Sequence, residues 1–348
     1  MKPALFVAAA ATAFSGAAAA QSSASVYGLI DMSINHMRFS GTATRPSASQ
    51  TTVSNDASRI GFRASEDLGG GRRAYFKLES GVSLDTGAST NATQFWNLES
   101  YVGIADPKLG SVQLGSQFTP AVWASSRVDP FGRFGLGAIT NLLQGSPRGW
   151  AVTFNNSAQY ISPKFGDATV RLMAAPSEGA VTGRSYAGAI EYAKDRLYLT
   201  ANYDDVGVTN AAVGLPGSGT VRSRTYIAAA AYSFDAVKLS GWYQANRAGD
   251  APDLTGYMLG ATVPLSSSEL RASVTRRSMS GASVSRLALG YYHFLSKRTW
   301  LFTQVARMEN SGSAAFGLGP ARVEQAAAGL LAADRDINGL QLGVRHFF

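Results

Sequence analysis

The chain has 348 residues, 37 of them glycine and none cysteine, and its 31 basic against 23 acidic side chains give a formal charge of +8. The absence of cysteine excludes a disulfide framework and thiolate chemistry. The mean hydropathy of −0.02 is that of a soluble protein, yet it does not exclude a membrane barrel, because a polar interior and an apolar exterior average to the same value.

In chain order, Lys2 precedes an apolar run from Ala4 to Ala13, then Ser15, Gly16 and four alanines before Gln21. A charged start, a short apolar segment and an Ala-x-Ala context predict a secretory signal peptide over residues 1–20, leaving 21–348 as one mature domain. Past residue 20 no uninterrupted apolar run reaches the ~20 residues that a spanning helix requires. If the mature chain crosses a membrane, it crosses as strands. Export also argues against nucleic acid as the partner of the basic surplus, and for a basic interior that attracts small anions.

Segments of about ten residues then alternate with period two, the pattern of strands with one apolar and one polar face. Val26, Gly28, Ile30 and Met32 oppose Tyr27, Asp31 and Ser33; Ile60 and Phe62 oppose Arg59, Gly61 and Arg63; Phe76 and Leu78 oppose Tyr75, Lys77 and Glu79. The pattern returns at Val112 and Leu114, at Val170 and Leu172, and at Leu270, Ala272 and Val274, the last set against Arg271, Ser273 and Thr275. Consecutive strands with Arg or Lys on one side cannot bury both faces in a dry core, so one face must be wet. The chain closes on a strand in which Leu340, Leu342, Val344, His346 and Phe348 share a face. Short connections (66–71, 106–110, 162–166, 266–268, 296–298) alternate with long ones (40–56, 85–94, 119–149, 204–220, 310–338), and 323–333 has the makings of a brief helix in the last. At about twenty residues per strand and connection, roughly sixteen strands are expected, an even number as in bacterial barrels.

Several stretches resemble the Gram-negative general porins, particularly those of β-proteobacteria. They are VYGLID at 26–31, SRIGFRASEDLGGGRRAYFKLESG at 58–81, YVGI at 101–104, GSVQLGSQFTP at 110–120, DPFG at 129–132, NNSAQYISPKF at 155–165, LSKRT at 295–299 and GVRHFF at 343–348. The resemblance implies an all-β fold: a transmembrane antiparallel barrel of about sixteen strands with a constricting third loop folded into the lumen. It implies a homotrimer in which the second long loop latches onto a neighbour, and no cofactor. It also implies contact with outer-membrane lipid and lipopolysaccharide, small ions and solutes as cargo, and a terminal Phe348 read by the barrel-assembly machinery.

In this family the infolded loop supplies acids that face a ladder of wall arginines. The first ladder position matches Arg59, with Arg63 further along the same face; the second is occupied by Ser116 and the third by Thr153. The third connection carries one acid, Asp129, against Arg127, Arg133 and Arg148. Lys77 and Glu79, two apart on one strand face, are expected to form an exposed pair that offers little net field and little stability. Arg59, Arg63, Lys77, Arg127, Asp129, Arg133 and Arg148 are thus the expected pore-lining set, and their balance predicts weak anion selectivity. A solvated surface or ion pairs with nearby acids is the plainer alternative for the arginines. Trp96, Trp123, Trp150, Trp242, Trp300, Tyr291 and Tyr292 suit either interfacial girdles or packing in the lumen and loops. Three histidines, His36, His293 and His346, give little support to a barrel enzyme and none to a metal centre. An adhesin or receptor role of the loops, or a channel specific for phosphate or a dicarboxylate, are the other readings.

Overall fold

The computed structural model describes residues 23–145, 148–320 and 322–348; the expected signal peptide lies outside them. Strands occupy β1 (Ser23–Phe39), β2 (Ala48–Asn55), β3 (Arg59–Gly69), β4 (Arg72–Ser83), β5 (Ala88–Ser89), β6 (Glu99–Asp106), β7 (Gly110–Phe118), β8 (Thr153–Ile161) and β9 (Ala168–Ala175). They continue with β10 (Ser185–Lys194), β11 (Leu197–Thr209), β12 (Thr220–Ser233), β13 (Lys238–Ala248), β14 (Ala251–Pro264), β15 (Ser268–Met279), β16 (Ala282–Phe294), β17 (Thr299–Gly312) and β18 (Ile337–Phe347). Each pairs antiparallel with its chain neighbour, and β1 pairs with β18 to close the sheet. β2 and β3 pair with successive halves of β1 and are one stave interrupted at residues 56–58, while β5 is a two-residue flap on β4. Sixteen staves therefore make the barrel.

The alternation read from the sequence is realised inside out relative to a soluble protein. On β18, Leu340, Leu342 and Val344 are exposed, whereas Gln341 and Arg345 are buried; on β16 and β17, Leu287, Leu289 and Val305 are exposed while Arg286 and Gln304 are buried. In hydrocarbon that outer band is at home, and closure leaves no unpaired sheet edge within it. Phe348 finishes the seam. Its backbone exchanges hydrogen bonds with Gly28 at 3.1 and 3.2 Å. Its ring lies over Gly28, where a side chain would collide with it.

Connections at one end are short, as expected; the other end departs from the expected alternation. Residues 40–56 are only half loop, because 48–55 form β2, and β11 runs on to Thr209. The turns at 249–250 and 280–281 are tight although they lie at the long-loop end. β2 and the tip of β11 lack the apolar alternation of the belt, with Thr51 and Thr52 adjacent in one and Asp204 and Asp205 in the other, and so read as loop. The expected brief helix exists as α3 (Arg322–Ala327), shorter than the 323–333 window, after α1 (Pro120–Val128) and α2 (Thr140–Leu143) of the third long connection.

Candidate functional site: the constricted lumen

The connection between β7 and β8 starts a helix at Pro120, whose missing N–H costs nothing at a helix start, and its two ends are joined by Thr119 Oγ1 donating to Ala151 O at 2.6 Å. It lies against the inner wall. Gln304 and Gln341 accept from the Gly137 and Leu136 amides at 3.0 and 3.3 Å. Arg286 donates to the Gly137 and Ala138 carbonyls at 2.6 and 2.5 Å. Arg277 and Gln244 donate to Leu142 O and Leu143 O at 2.8 and 3.0 Å. Gly135 comes so close to the Gln304 amide that no side chain fits there, and its φ of +81° adds a second reason for glycine. Beneath the loop, Phe131, Leu136, Ile139, Leu143 and Trp150 pack on Trp242, Met258, Tyr292 and Phe302 of the wall. That apolar cluster is the larger of the two among the described residues.

Two cavities flank the loop. The larger, about 570 Å³, lies toward the long loops; its ionic lining is Asp56, Arg59, Lys77, Arg133 and Arg322. The smaller, about 300 Å³, lies toward the short turns and is lined by Asp129, Lys238, Glu269, Arg271 and Arg345 among others. Ser126, Gly132 and Phe134 border both, so these loop residues lie between the two cavities. The Phe134 ring is flanked by two guanidinium groups, Arg345 at 4.5 Å and Arg59 at 5.7 Å from its centre.

The sequence-derived residues take different places. Arg59 lines the upper cavity and pairs with Glu79 at 3.2 Å. Arg63 is exposed, over the Tyr27 ring at 4.9 Å, with Ser25 accepting from its Nε at 3.1 Å. Lys77 does pair with Glu79, at 3.3 Å, and is also bound by Glu99; both carboxylates are buried, so this is an interior cluster rather than the exposed pair the spacing suggested. Arg133 lines the upper cavity in a left-handed backbone conformation, φ +77°, and bonds Val122 O at 3.1 Å and Gln144 at 2.8 Å. Arg127 is exposed over the Tyr198 ring at 5.0 Å.

Two of the set are engaged elsewhere. Asp129 is 6 % exposed. Its carboxylate accepts the backbone amides of Phe131, Arg133 and Ile139 at 2.9–3.1 Å, which folds the loop, and the residue borders the lower cavity. Burial raises its pKa above the ordinary carboxylate range, and the Ile139 and Phe131 amides work against that rise. Arg148 donates to Pro252 O and ties the end of the loop to β14. At the ladder positions without charge, Ser116 donates to Asn155 at 2.7 Å and Thr153 sits opposite Phe118.

Asp56, Lys238, Arg322 and Arg345 were missed as lumen residues, and so was Arg271, which the alternation had set on a polar face. Arg271 and Arg345 stand on strands opposite exposed Leu270 and Val344, so alternation alone carried the signal for them. Asp56 and Arg322 lie at a strand break and a loop helix, where no periodicity exists. Of the aromatic set, Trp150 and Trp242 pack together beneath the loop, Tyr292 is buried, and Trp123 and Trp300 border the cavities; Tyr291 alone of those in the wall is an exposed outer residue. His36, His293 and His346 bond Thr51, Ser268 and Thr299 hydroxyls at 2.9–3.1 Å.

A closed barrel with an apolar belt, a polar interior and a loop across it is a membrane channel of the outer-membrane kind. The chain belongs to the Gram-negative porin family, whose model matches residues 7–313, and it is an outer-membrane protein. It is similar to outer membrane porin protein 32 of Delftia acidovorans, 29 % identical over 98 % of this chain and 99 % of that one. Over 82 residues, 24 % of this chain and 20 % of the other, it is 40 % identical to a major outer membrane protein P.IA of Neisseria meningitidis. Among solved structures, an anion-selective porin from Comamonas acidovorans matches with a TM-score of 0.79 and 26 % identity, over 94 % of this chain and all of that one. A Salmonella typhi OmpF structure matches at TM-score 0.65 and 13 % identity, over 93 % and 97 % of the two chains, and shares the fold.

Proposed function

We propose that the mature chain, freed of residues 1–20, forms a homotrimeric porin that passes small hydrophilic solutes by diffusion with a weak preference for anions, and that it catalyses no reaction. The observation that carries the reading is the charge balance along the passage. Arg59, Lys77, Arg133 and Arg322 line the upper cavity against Asp56 and against Glu79 and Glu99, which pair with the first two, and Lys238, Arg271 and Arg345 line the lower one against Glu269, the loop-bound Asp129 and Asp31, the partner of Arg345; the cations keep a small excess, to which exposed Arg63 and Arg127 add. Cations fixed beside a low-dielectric wall raise the local anion concentration, an effect that salt screens. The loss of arginine at Ser116 and Thr153 is offset by charge on the loops and on the facing wall. The relative from Comamonas acidovorans carries anion selectivity in its own description, and a Vibrio cholerae OmpT of the same fold is described as a trimer; both support the reading. Of the expected site residues, Arg59, Lys77 and Arg133 act on the ion, Arg63 and Arg127 add to the field, Asp129 and Arg148 hold the loop, and Phe348 serves assembly. Lipopolysaccharide around the barrel and delivery by the assembly machinery complete the proposal. Zero-current potentials across planar bilayers in a KCl gradient test it, with anion permeability exceeding cation permeability as the expected result.

A further inference from the structure

The lower cavity is built for more than a hydrated inorganic ion. At about 300 Å³ it matches the lower end of small-molecule pockets. Three aromatic rings border it, Phe134, Trp300 and Phe347, the last two packed at 5.1 Å. Apolar rings turned to water in an aqueous lumen forgo hydrophobic burial, and an inorganic anion gains nothing from them. Of the cations, Arg271 is held by Glu269 through Nε and Nη2 at 2.9 and 2.6 Å, and Arg345 is paired with Asp31. Lys238 has no carboxylate at ion-pair distance among the described residues; its ammonium donates to Arg127 O at 2.7 Å, which leaves further N–H donors. The hydroxyls of Ser126, Ser240 and Thr262 border the same space. An ammonium without a carboxylate partner among the described residues, hydroxyl donors and a cluster of rings together suit one ligand chemistry.

We propose that this cavity is a transient binding subsite for small planar aromatic carboxylates on their way through the pore. The carboxylate takes a charge-assisted bond from Lys238, with the hydroxyls around it, and the ring lies on Trp300 and Phe347. The proposal rests on the anion-conducting reading above and names a class of solute for it. Like charge from Arg127 and Arg271 around Lys238 is relieved when an anion enters, which favours occupancy.

The test uses full-length protein in planar bilayers, with benzoate, cyclohexanecarboxylate and acetate as probes of chloride current. Benzoate is expected to reduce single-channel conductance saturably, with half-block on the order of 10 mM, the affinity a ligand of its size reaches at ordinary efficiency. Cyclohexanecarboxylate should block several-fold more weakly and acetate not saturably. Lys238→Gln and Trp300→Leu should each weaken the benzoate block at least fivefold while chloride still passes, with the fast gel migration of the folded barrel checked for each variant. Benzoate acting like acetate, or block unchanged in both variants, overturns the subsite. Zero-current potentials on the same channels separate the two readings: anion preference without saturable benzoate block removes the subsite alone, and cation preference removes both.

Discussion

Arg286 is the strongest single tether of the constricting loop, and replacing it with methionine tests whether the loop sets the pore. The guanidinium is 1 % exposed and donates to Ala138 O at 2.5 Å, Gly137 O at 2.6 Å and Thr275 Oγ1 at 2.9 Å. A hydrogen bond from a charged group contributes about 1.5–3 kcal/mol, but the loss is less where the acceptor keeps a second donor. Gly137 O retains Ser273 at 3.3 Å and Ala138 O retains the Asn141 amide at 3.2 Å. Methionine fills much of the same space, so little cavity cost is added. Arg286→Met should therefore weaken loop docking by roughly 3–4 kcal/mol, two to three orders of magnitude in the ratio of released to docked loop. Gln304, Gln341, Arg277 and Gln244 still hold it, so the single variant should show noisier current with brief excursions to higher conductance. Arg286→Met with Arg277→Met should shift the mean conductance upward and admit larger sugars in liposome swelling. A folded double variant with wild-type conductance, noise and exclusion limit would refute the claim that this loop constricts the channel.

Arg59→Ala removes one lumen cation and unpairs Glu79 from its 3.2 Å partner; the anion-to-cation permeability ratio should fall by about twofold near 0.1 M salt and less at 1 M, where screening shortens to about 3 Å, as reversal potentials would show. Gly28→Val places a side chain against the Phe348 ring and the Arg59 carbonyl. It should cost about 2–3 kcal/mol, seen as a lower temperature at which the folded barrel loses its fast migration on cold gels. Asp129→Asn keeps one carbonyl oxygen where two now accept Phe131, Arg133 and Ile139 amides. Losing a buried amide's partner costs about 1–3 kcal/mol, and the variant should gate more often with only a small rise in anion preference; a large swing toward anions would instead mean that this acid acts mainly on the ion.

What the sequence made legible follows from where alternation survives. Strands such as β15 to β18 have lipid on one side and water on the other, so Leu340 and Leu342 against Gln341 place themselves. β2 and the tip of β11, where Asp204 and Val208 share one buried face, lack that contrast and read as loop. At the site, Arg59 was found because a strand fixes its face and a motif fixes its register. Asp129 misled, since an acid in a loop reads as available charge until the three amides it serves are known. Lys77 was assigned its partner Glu79 correctly, but Glu99, 22 residues away and across a strand pair, has no local signature. Arg322 and Asp56 enter the lumen from irregular backbone, beyond the reach of periodicity.

The central claim is a water-filled passage whose fixed cations outweigh its fixed anions. Its most direct measurement is the zero-current potential of the purified protein in a planar bilayer with a tenfold KCl gradient. The account predicts that chloride carries more of the current than potassium, more strongly at low salt; a potential of the sign that potassium preference gives would contradict it.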